Sequence, residues 1–315
     1  MAIQKPQDVA TSEVKIRILI AGFPGIGKST LGLSAPKPLH IDVDRGISRV
    51  MAAHRKDYIQ PDTYDVLLED LQGDLTAYET LLFDTGGKLL DLMKAWAIKE
   101  NPQNGQKDGT LSLKGYGAVG REFNRLMDYA FYDLKKNVVV LFHSKEDKDG
   151  DCTKLRILVE GQTKDNVWQP MELGGFVEMI GNKRMIGFSN CERYFAKGTH
   201  GIKGLIEIPD SANSANDFLT RLFEKVNENI KAESSIFENE KTAYEKVIAE
   251  YAPQIDGMTE ETIIQTTVLL KNITHALTSE KELKARFVAK LKVLGYKWDK
   301  GAKEYVKIPT DSITP

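Results

Sequence analysis

Short apolar runs separated by amphipathic stretches dominate the first half of the chain. Four of these runs predict strands, over 15–21, 39–43, 80–83 and 137–142. The last run is continuously apolar, as is typical of a strand covered on both faces. Helical periodicity lies between the runs, over 28–34, 87–99 and 116–135. This alternation predicts an α/β fold whose mostly parallel sheet is flanked by helices.

The pattern changes after residue 142 and predicts shorter strands that extend the sheet edge in antiparallel fashion. These strands are expected over Lys154–Glu160, Lys183–Ser189 and Arg193–Ala196. An amphipathic helix follows over Asn216–Ile230, with its apolar side chains on one face. We place a core domain at 13–232, preceded by a polar and flexible leader at 1–12.

Residues 233–315 are predicted to form a small, mainly helical C-terminal domain. Its helices are expected over Glu238–Glu250, Glu260–Asn272 and Glu280–Leu294. Ser279 and Glu282 fit a capping box at the start of the last helix, and Gly295 is a suitable stop after it. Alternation over 296–307 predicts a terminal hairpin.

One segment between the first predicted strand and helix carries specific chemistry. Gly22-Phe23-Pro24-Gly25-Ile26-Gly27-Lys28-Ser29 fits the phosphate-binding loop pattern G-x-x-x-x-G-K-[ST]. Glycines let backbone N–H groups surround an anion, and the helix N-terminus adds partial positive charge. Lys28 can reach the β- and γ-phosphates, and the Ser29 hydroxyl can coordinate Mg²⁺. The sequence therefore predicts binding of ATP and Mg²⁺ by Gly22, Pro24, Gly25, Ile26, Gly27, Lys28, Ser29 and Thr30.

Carboxylates follow two of the predicted strands. Asp84 closes an apolar strand, where an acid can support Mg²⁺ together with Ser29; a helix N-cap is the alternative role. Asp42 and Asp44 follow the second strand, and alternation places both on one face. Asp44 is the candidate for a catalytic group that orients water, with a solvated loop acid as the alternative.

Three further side chains are candidates for sensing or stabilising charge. His143 ends the fourth predicted strand, and ligands of open α/β sheets gather at the carboxyl ends of strands. It is therefore a catalytic candidate placed to sense the γ-phosphate, with a structural histidine as the alternative. Arg193 and Lys197 are candidates to act in trans on a neighbouring subunit's nucleotide. Their residue types alone favour solvated surface positions.

Taken in order over roughly 13–208, these residues resemble the RecA-type recombination ATPases, in particular the compact phage-encoded ATP-binding proteins of the single-strand-annealing recombinase group. The resemblance implies a RecA-like ATPase core acting in DNA recombination or repair. The resemblance implies that Asp44 occupies the place of the family's water-activating glutamate, although aspartate has a shorter side chain. It also implies that His143 is a polar sensor of the γ-phosphate. Lys197 resembles a lysine that crosses a subunit interface, which implies a homo-oligomer or filament. Phage or host recombination proteins are implied as partners, in the host cytoplasm if the protein is phage-encoded.

The resemblance also implies binding of single-stranded DNA through two loops. The matching stretches are Asn101–Gly115 and Ser144–Cys152. The second carries Lys145 and Lys148 among acidic residues, and an acidic loop neutralises phosphate poorly. Ordinary surface loops are the alternative. The aromatic residues of the terminal hairpin stand among lysines and offer a further stacking surface, or simply anchor the hairpin.

Composition narrows these possibilities only slightly. The 315 residues, 41% hydrophobic and 28% charged, are ordinary for a globular protein, and the net charge of −2 gives no global signal for nucleic acid. Cys152 and Cys191 have no metal-like spacing. The first residues lack an apolar signal core, and no apolar run approaches a membrane span. We therefore expect a cytoplasmic protein without membrane contact.

Two other functions remain compatible with the same loop. A small-molecule phosphotransferase shares it but normally needs an arginine-rich lid, and Asn101–Gly115 contains no arginine. A nucleotide-gated binding module with little turnover is the second alternative, since Asp44 replaces the longer glutamate. Phosphate transfer to a nucleoside monophosphate would indicate the first, and tight ATP binding without phosphate release the second.

Overall fold

The computed structural model describes residues 14–150, 152–161, 163–210, 215–299, 301 and 304–308. The predicted leader at 1–12 lies outside these residues. The chain divides into two compact units, one formed by Glu13–Ile230 and another that contains Lys231–Pro315.

The first unit is built from strands and helices that alternate along most of its length. Its strands are β1 (Arg17–Gly22), β2 (Pro38–Asp42), β3 (Tyr58–Ile59), β4 (Thr80–Asp84), β5 (Asn137–Asp149), β6 (Cys152–Ile157), β7 (Leu173–Ile180), β8 (Lys183–Gly187) and β9 (Leu205–Glu207). Its helices are α1 (Lys28–Gly32), α2 (Tyr64–Asp70), α3 (Gly86–Glu100), α4 (Leu113–Asp128), α5 (Thr163–Asn166) and the first part of α6 (Phe218–Asp256).

The strands form one mixed sheet in the order β3-β2-β4-β5-β1-β7-β8-β9, with β6 paired to β5. All pairs from β3 to β7 are parallel, and β8 and β9 add antiparallel strands at one edge. This arrangement confirms the predicted α/β fold with a mostly parallel sheet flanked by helices. Because β4, β5, β1 and β7 are parallel, their carboxyl ends meet at one edge of the sheet, where a ligand site is expected.

Helices cover both faces of the sheet and explain its apolar strands. One core joins Leu81 and Phe83 of β4 to side chains of α3 and α4. The other joins Leu82, the residue between them, to Leu31 of α1 and Leu219 of α6. Successive residues of a strand point to opposite faces, so β4 has to be apolar throughout.

The structure corrects the strand predictions after residue 142. β7 pairs directly with β1, yet its sequence Leu-Gly-Gly-Phe gave no strand signal because glycine has low strand propensity. Arg193–Ala196 is not a strand, and β6 pairs with the extended end of β5 instead of extending the sheet edge. The predicted loop Ser144–Cys152 is therefore largely a two-stranded ribbon.

The helix prediction near residue 232 was also wrong. α6 runs without a break through the predicted gap between its two amphipathic parts. The second unit continues with α7 (Ile263–Lys271), α8 (Ser279–Val293) and the antiparallel hairpin of β10 (Tyr296–Asp299) and β11 (Glu304–Lys307), as the pattern predicted.

The ends of α8 show one wrong and one correct prediction. Ser279 does not cap α8, because it lies within the helix and its Oγ accepts a hydrogen bond from the N–H of Ala276 instead. Gly295 follows the helix with a φ of 76°, which supports its role as a helix stop.

Candidate nucleotide site

The phosphate-binding loop connects the end of β1 to α1. Gly25 and Gly27 have φ values of 79° and 88°, in the left-handed region that glycine adopts without strain. A Cβ on Gly22 would stand 2.9 Å from the carbonyl oxygen of Val177, so the loop leaves β1 at a point that only glycine fits. Pro24 and Gly25 are exposed, while Ile26 packs on the core below the loop. Thr30 is half-buried within α1.

Lys28 is held inside this loop with only 5% of its surface exposed. Its Nζ donates hydrogen bonds of 2.9 Å to the carbonyl oxygens of Gly22 and Phe23. Burial lowers the pKa of Lys28 to about 8, although the charges of Asp84 and Asp44 oppose the shift. The loop thus contains a desolvated cation, which a bound phosphate would stabilise.

Asp84 ends β4 and is 4% exposed. Burial acts to raise its pKa, but hydrogen bonds from His40 and Ser29, together with the charge of Lys28, outweigh burial and hold the pKa below its usual range. The carboxylate is therefore ionised at neutral pH. The N-cap of α3 is Thr85, so the alternative role of Asp84 as that cap is wrong.

Ser29 and Asp84 together fit a Mg²⁺ site. Both supply oxygen, the donor that Mg²⁺ prefers, and the hydroxyl already forms a hydrogen bond with the ionised carboxylate. Among the described residues, no group of three or more His, Cys, Asp or Glu side chains is arranged for a metal. A site of this kind draws its other ligands from phosphate and water. When bound, Mg²⁺ would neutralise charge that develops on the phosphates.

Asp42 and Asp44 have different environments, so the predicted shared strand face is wrong. Asp42 is the last residue of β2 and is fully buried. Its carboxylate accepts hydrogen bonds from the N–H groups of Gly46 and Ile47, at 2.7 and 3.0 Å, and from Gln60. These bonds shape the turn after β2. Asp44 lies beyond the strand, in that turn.

Asp44 remains close to the phosphate-binding loop through its backbone and its charge. Its N–H donates a 3.0 Å hydrogen bond to the carbonyl oxygen of Asp84, and its carboxylate forms an ion pair with Arg49. The side chain also contributes to the electrostatic field at Lys28 and His143. Asp44 is therefore positioned near the end of the loop, but Arg49 already contacts the carboxylate.

His143 lies in β5, at the level of Gly22 in the adjoining β1. Its Nδ1 is 3.2 Å from the Nζ of Lys28. Burial and then the charge of Lys28 lower the pKa of His143, despite opposing charges that include Asp44. An ammonium group can only donate, so a neutral ring accepts this hydrogen bond through Nδ1. The histidine contacts the same lysine that would hold the phosphates.

A cleft with a volume of about 1570 Å³ opens beside these residues. Asp44, Thr85 and His143 form its wall at the nucleotide end. The cleft continues along β6 to a cluster of aromatic side chains, namely Trp168, Phe176, Tyr194 and Phe195. The cleft therefore joins Asp44 and His143, which lie beside the phosphate-binding loop, to the β5–β6 ribbon, although the loop residues themselves do not line it.

Arg193 and Lys197 both have partners within the chain. Arg193 forms a 2.9 Å ion pair with Glu178. Lys197 donates from Nζ to the carbonyl oxygen of Met171, and its backbone pairs with Gly174 of β7. Gly174 lies near the start of β7, away from the carboxyl ends where the loop lies. The structure does not bring Lys197 to the phosphate-binding loop of its own chain.

Two side chains at the site had no sequence signal. His40 is fully buried in β2, and its Nε2 lies 3.3 Å from Asp84 Oδ2. Arg49 is the last residue of a short 3₁₀ turn and reaches back to Asp44. His40 meets Asp84 only because β2 and β4 are neighbours in the sheet, and no spacing along the chain indicates this.

The comparisons with known proteins concern mainly the first unit. Residues 14–200 match the profile of the AAA domain family AAA_24. Among solved structures, the chain is similar to the flagellar accessory protein FlaH from Methanocaldococcus jannaschii, with 11% identity, a TM-score of 0.29, and coverage of 65% of this chain and 95% of FlaH. No curated protein sequence matches significantly. Within the described residues, no helix is long and apolar enough to cross a bilayer.

Proposed function

Because the chain belongs to the AAA domain family AAA_24, we propose that it is a Mg²⁺-dependent ATPase that couples its nucleotide state to the binding of single-stranded DNA in recombination or repair. The phosphate-binding loop and the ionised Asp84 beside Ser29 support the ATPase part. The continuous cleft from Asp44 and His143 to the aromatic cluster carries the DNA part. A ligand in that cleft would lie next to the γ-phosphate.

In this proposal, Lys28 exchanges its two carbonyl partners for phosphate oxygens, and Asp84 with Ser29 holds Mg²⁺. Asp44 orients a water molecule in line with the γ-phosphate once its carboxylate leaves Arg49. His143 responds to the bound nucleotide because it contacts Lys28, which would also contact the phosphates. It lies in β5, the strand that continues into the β5–β6 ribbon. ATP binding and release would therefore be transmitted to the cleft along one strand.

The wall of the cleft suits an unpaired nucleic acid strand. Phe195 is 56% exposed and packs edge-on against Trp168, which gives a base a flat surface for stacking. The basic side chains along the cleft are Lys88, Lys94, Lys145, Lys154, Arg156 and Lys164. Acidic neighbours such as Asp147 and Glu160 balance much of this charge, so we expect modest and salt-sensitive affinity.

The Asp44–Arg49 ion pair also favours a second candidate, a nucleotide-gated binding module with little turnover. While Arg49 holds the carboxylate, Asp44 cannot orient a water molecule. Assembly into a homo-oligomer or filament, with recombination proteins as further partners, belongs to the first proposal. It would require Lys197 or Arg193 to leave their present partners and reach a neighbouring nucleotide.

Phosphate release from ATP, measured with and without single-stranded DNA, tests the proposed function. We expect DNA to stimulate release and a non-hydrolysable ATP analogue to tighten DNA binding. The Phe195→Ala variant should weaken DNA binding by about tenfold, in line with the loss of one stacked base. Tyr132→Ala is the matched control, since Tyr132 is an exposed aromatic residue outside the cleft. Absence of DNA binding under every salt and nucleotide condition would remove the recombination function.

The lowered pKa of Lys28 predicts a pH-dependent nucleotide affinity. Its pKa of about 8 means that the empty site loses the lysine proton above that pH, whereas phosphate binding requires it. ATP affinity should therefore fall by up to about tenfold per pH unit above pH 8. Titrations between pH 7 and 10 check this. Lys28→Arg should remove the pH dependence, because a guanidinium keeps its proton throughout this range.

The lowered pKa of Lys28 also predicts how the free energy of unfolding changes with pH when no nucleotide is bound. The folded pKa lies below the ordinary value of 10.5. Between these two pH values the unfolded chain holds more protons than the folded one, so Lys28 contributes increasing stability as the pH rises. A difference in unfolding free energy between wild type and Lys28→Arg that stays constant over this window would contradict the pKa assignment.

A further inference from the structure

Arg184 approaches the phosphate-binding loop from the side opposite to the acidic residues. The sheet order places β4 and β5 on one side of β1, and β7 and β8 on the other. Asp84 and His143 belong to the first pair of strands, and Arg184 belongs to β8. The loop therefore has Asp84 and His143 on one side and Arg184 on the other.

The position of Arg184 follows from the pleat of β8. Arg184 is two residues from Ile186, so both side chains point to the same face of the sheet. Ile186 packs in the core that contains Leu31 of α1, which identifies this face as the one that α1 covers. Arg184 pairs with Met179 close to the β7–β8 turn, at the carboxyl edge of β7. Both constraints direct its side chain to the start of α1.

The guanidinium of Arg184 lies directly against Gly27. A Cβ on Gly27 would clash with Nη1 of Arg184, so the arginine fills the space that a side chain would take. Its Nη2 donates a 3.3 Å hydrogen bond to the carbonyl oxygen of Pro209. Gly27 immediately precedes Lys28 in the part of the loop that is expected to wrap the phosphates.

This guanidinium is partly removed from water. Burial lowers the pKa of Arg184, and the charge of Asp210 opposes the shift without reversing it. Desolvating a cation is unfavourable unless negative charge is close by. Asp210 supplies part of that charge, and a phosphate chain in the loop would add more beside Gly27.

We propose that Arg184 is a nucleotide-binding residue that contacts the α-phosphate end of a nucleoside diphosphate or triphosphate in its own chain. This inference rests on the proposed nucleotide binding and deepens it. The direction of the ligand follows from the sheet: the γ-phosphate points to Asp84 and His143, so the nucleoside end extends towards β7 and β8. Arg184 thus contacts a part of the ligand that ATP and ADP share.

Titrations of Mg²⁺–ADP and of a Mg²⁺-bound non-hydrolysable ATP analogue, on the full chain, test this inference. Arg184→Ala should weaken both ligands by about tenfold and by the same factor, as expected for the loss of a charge-assisted hydrogen bond. Arg184→Lys should retain part of the affinity, because it keeps the charge but loses the fork geometry. His143→Ala, on the other side of the loop, should change the ratio of the two affinities.

Lys183→Ala is the matched control. Lys183 precedes Arg184 in β8, points to the opposite face and pairs with Glu207 at 2.6 Å, so its loss should leave both affinities unchanged. Wild-type affinity in Arg184→Ala overturns the inference, as does a loss confined to the ATP analogue. A lower melting temperature with unchanged affinities would make Arg184 structural and equally overturn it. If the wild type and Lys183→Ala bind neither nucleotide, the proposed function itself fails, which is a distinguishable result.

Discussion

Replacing Lys28 with alanine is expected to lower the affinity for ATP by about ten- to a hundredfold, because hydrogen bonds to charged groups contribute about 1.5–3 kcal/mol. Phosphate release should fall further, by about 10²–10³-fold, since the same ammonium would stabilise charge that develops on the transferred phosphate. Calorimetric titration with ATP and a phosphate-release assay measure the two effects separately.

The same variant should not unfold the protein. Within the described part of the chain, Lys28 hydrogen-bonds to two carbonyl oxygens of its own loop and to His143, so its removal leaves the sheet intact. Lys99→Ala serves as the control, because Lys99 is an exposed lysine in α3 that pairs with Asp65 outside the cleft. Equal ATP affinities of the wild type and Lys28→Ala would remove the loop as the nucleotide site, and with it the roles given to Asp44, Asp84 and His143.

Replacing Leu82 with alanine should lower the free energy of unfolding by about 2–5 kcal/mol, the cost of deleting a buried leucine side chain and leaving a cavity. Leu82 is fully buried in β4 and packs in the core that contains Leu31 of α1, close to Gly32. Such a loss is a large fraction of the stability of an ordinary domain. Urea unfolding should show a lower midpoint with an unchanged slope.

Leu113→Ala is the matched control for this prediction. Leu113 is 93% exposed at the start of α4, so the same substitution should change the unfolding free energy by less than about 0.5 kcal/mol. Because Leu82 supports α1 from below, ATP affinity should also fall in Leu82→Ala. Similar unfolding midpoints for the two variants would mean that β4 is not packed under α1 as described.

The candidate nucleotide site shows how far local sequence patterns reach. A phosphate-binding loop such as Gly22–Ser29 needs glycines that adopt left-handed backbone conformations, a lysine and a hydroxyl in a fixed order along one segment. Its chemistry is therefore visible in the sequence alone. Asp84 and His143 were also accessible, because each directly follows a continuous apolar run, although β5 itself continues past His143 to Asp149. Asp44 was also identified, but the strand face predicted for it was wrong, because it lies in the turn that Asp42 shapes, beyond the strand whose alternation was used to place it.

The residues that the sequence did not reveal all depend on neighbours distant along the chain. β7 lies between β1 and β8, but its two glycines weakened the pattern that would have identified it. His40 reaches Asp84, and Arg184 reaches Gly27, only through the order of strands in the sheet. Strand order is set by how whole helices pack over both faces, and no periodicity within one segment reports it.

The sequence alone therefore determined the alternation of strands and helices, the phosphate-binding loop and the hairpin at the end of the chain. These features depend on backbone propensity, side-chain periodicity and residue type over a few neighbouring positions. Tertiary structure alone decided that α6 is continuous, that Ser144–Cys152 is mostly ribbon, and which charges surround the loop. Those outcomes depend on burial and on contacts between distant segments, and hydrogen bonds and ion pairs form only where packing brings their partners together.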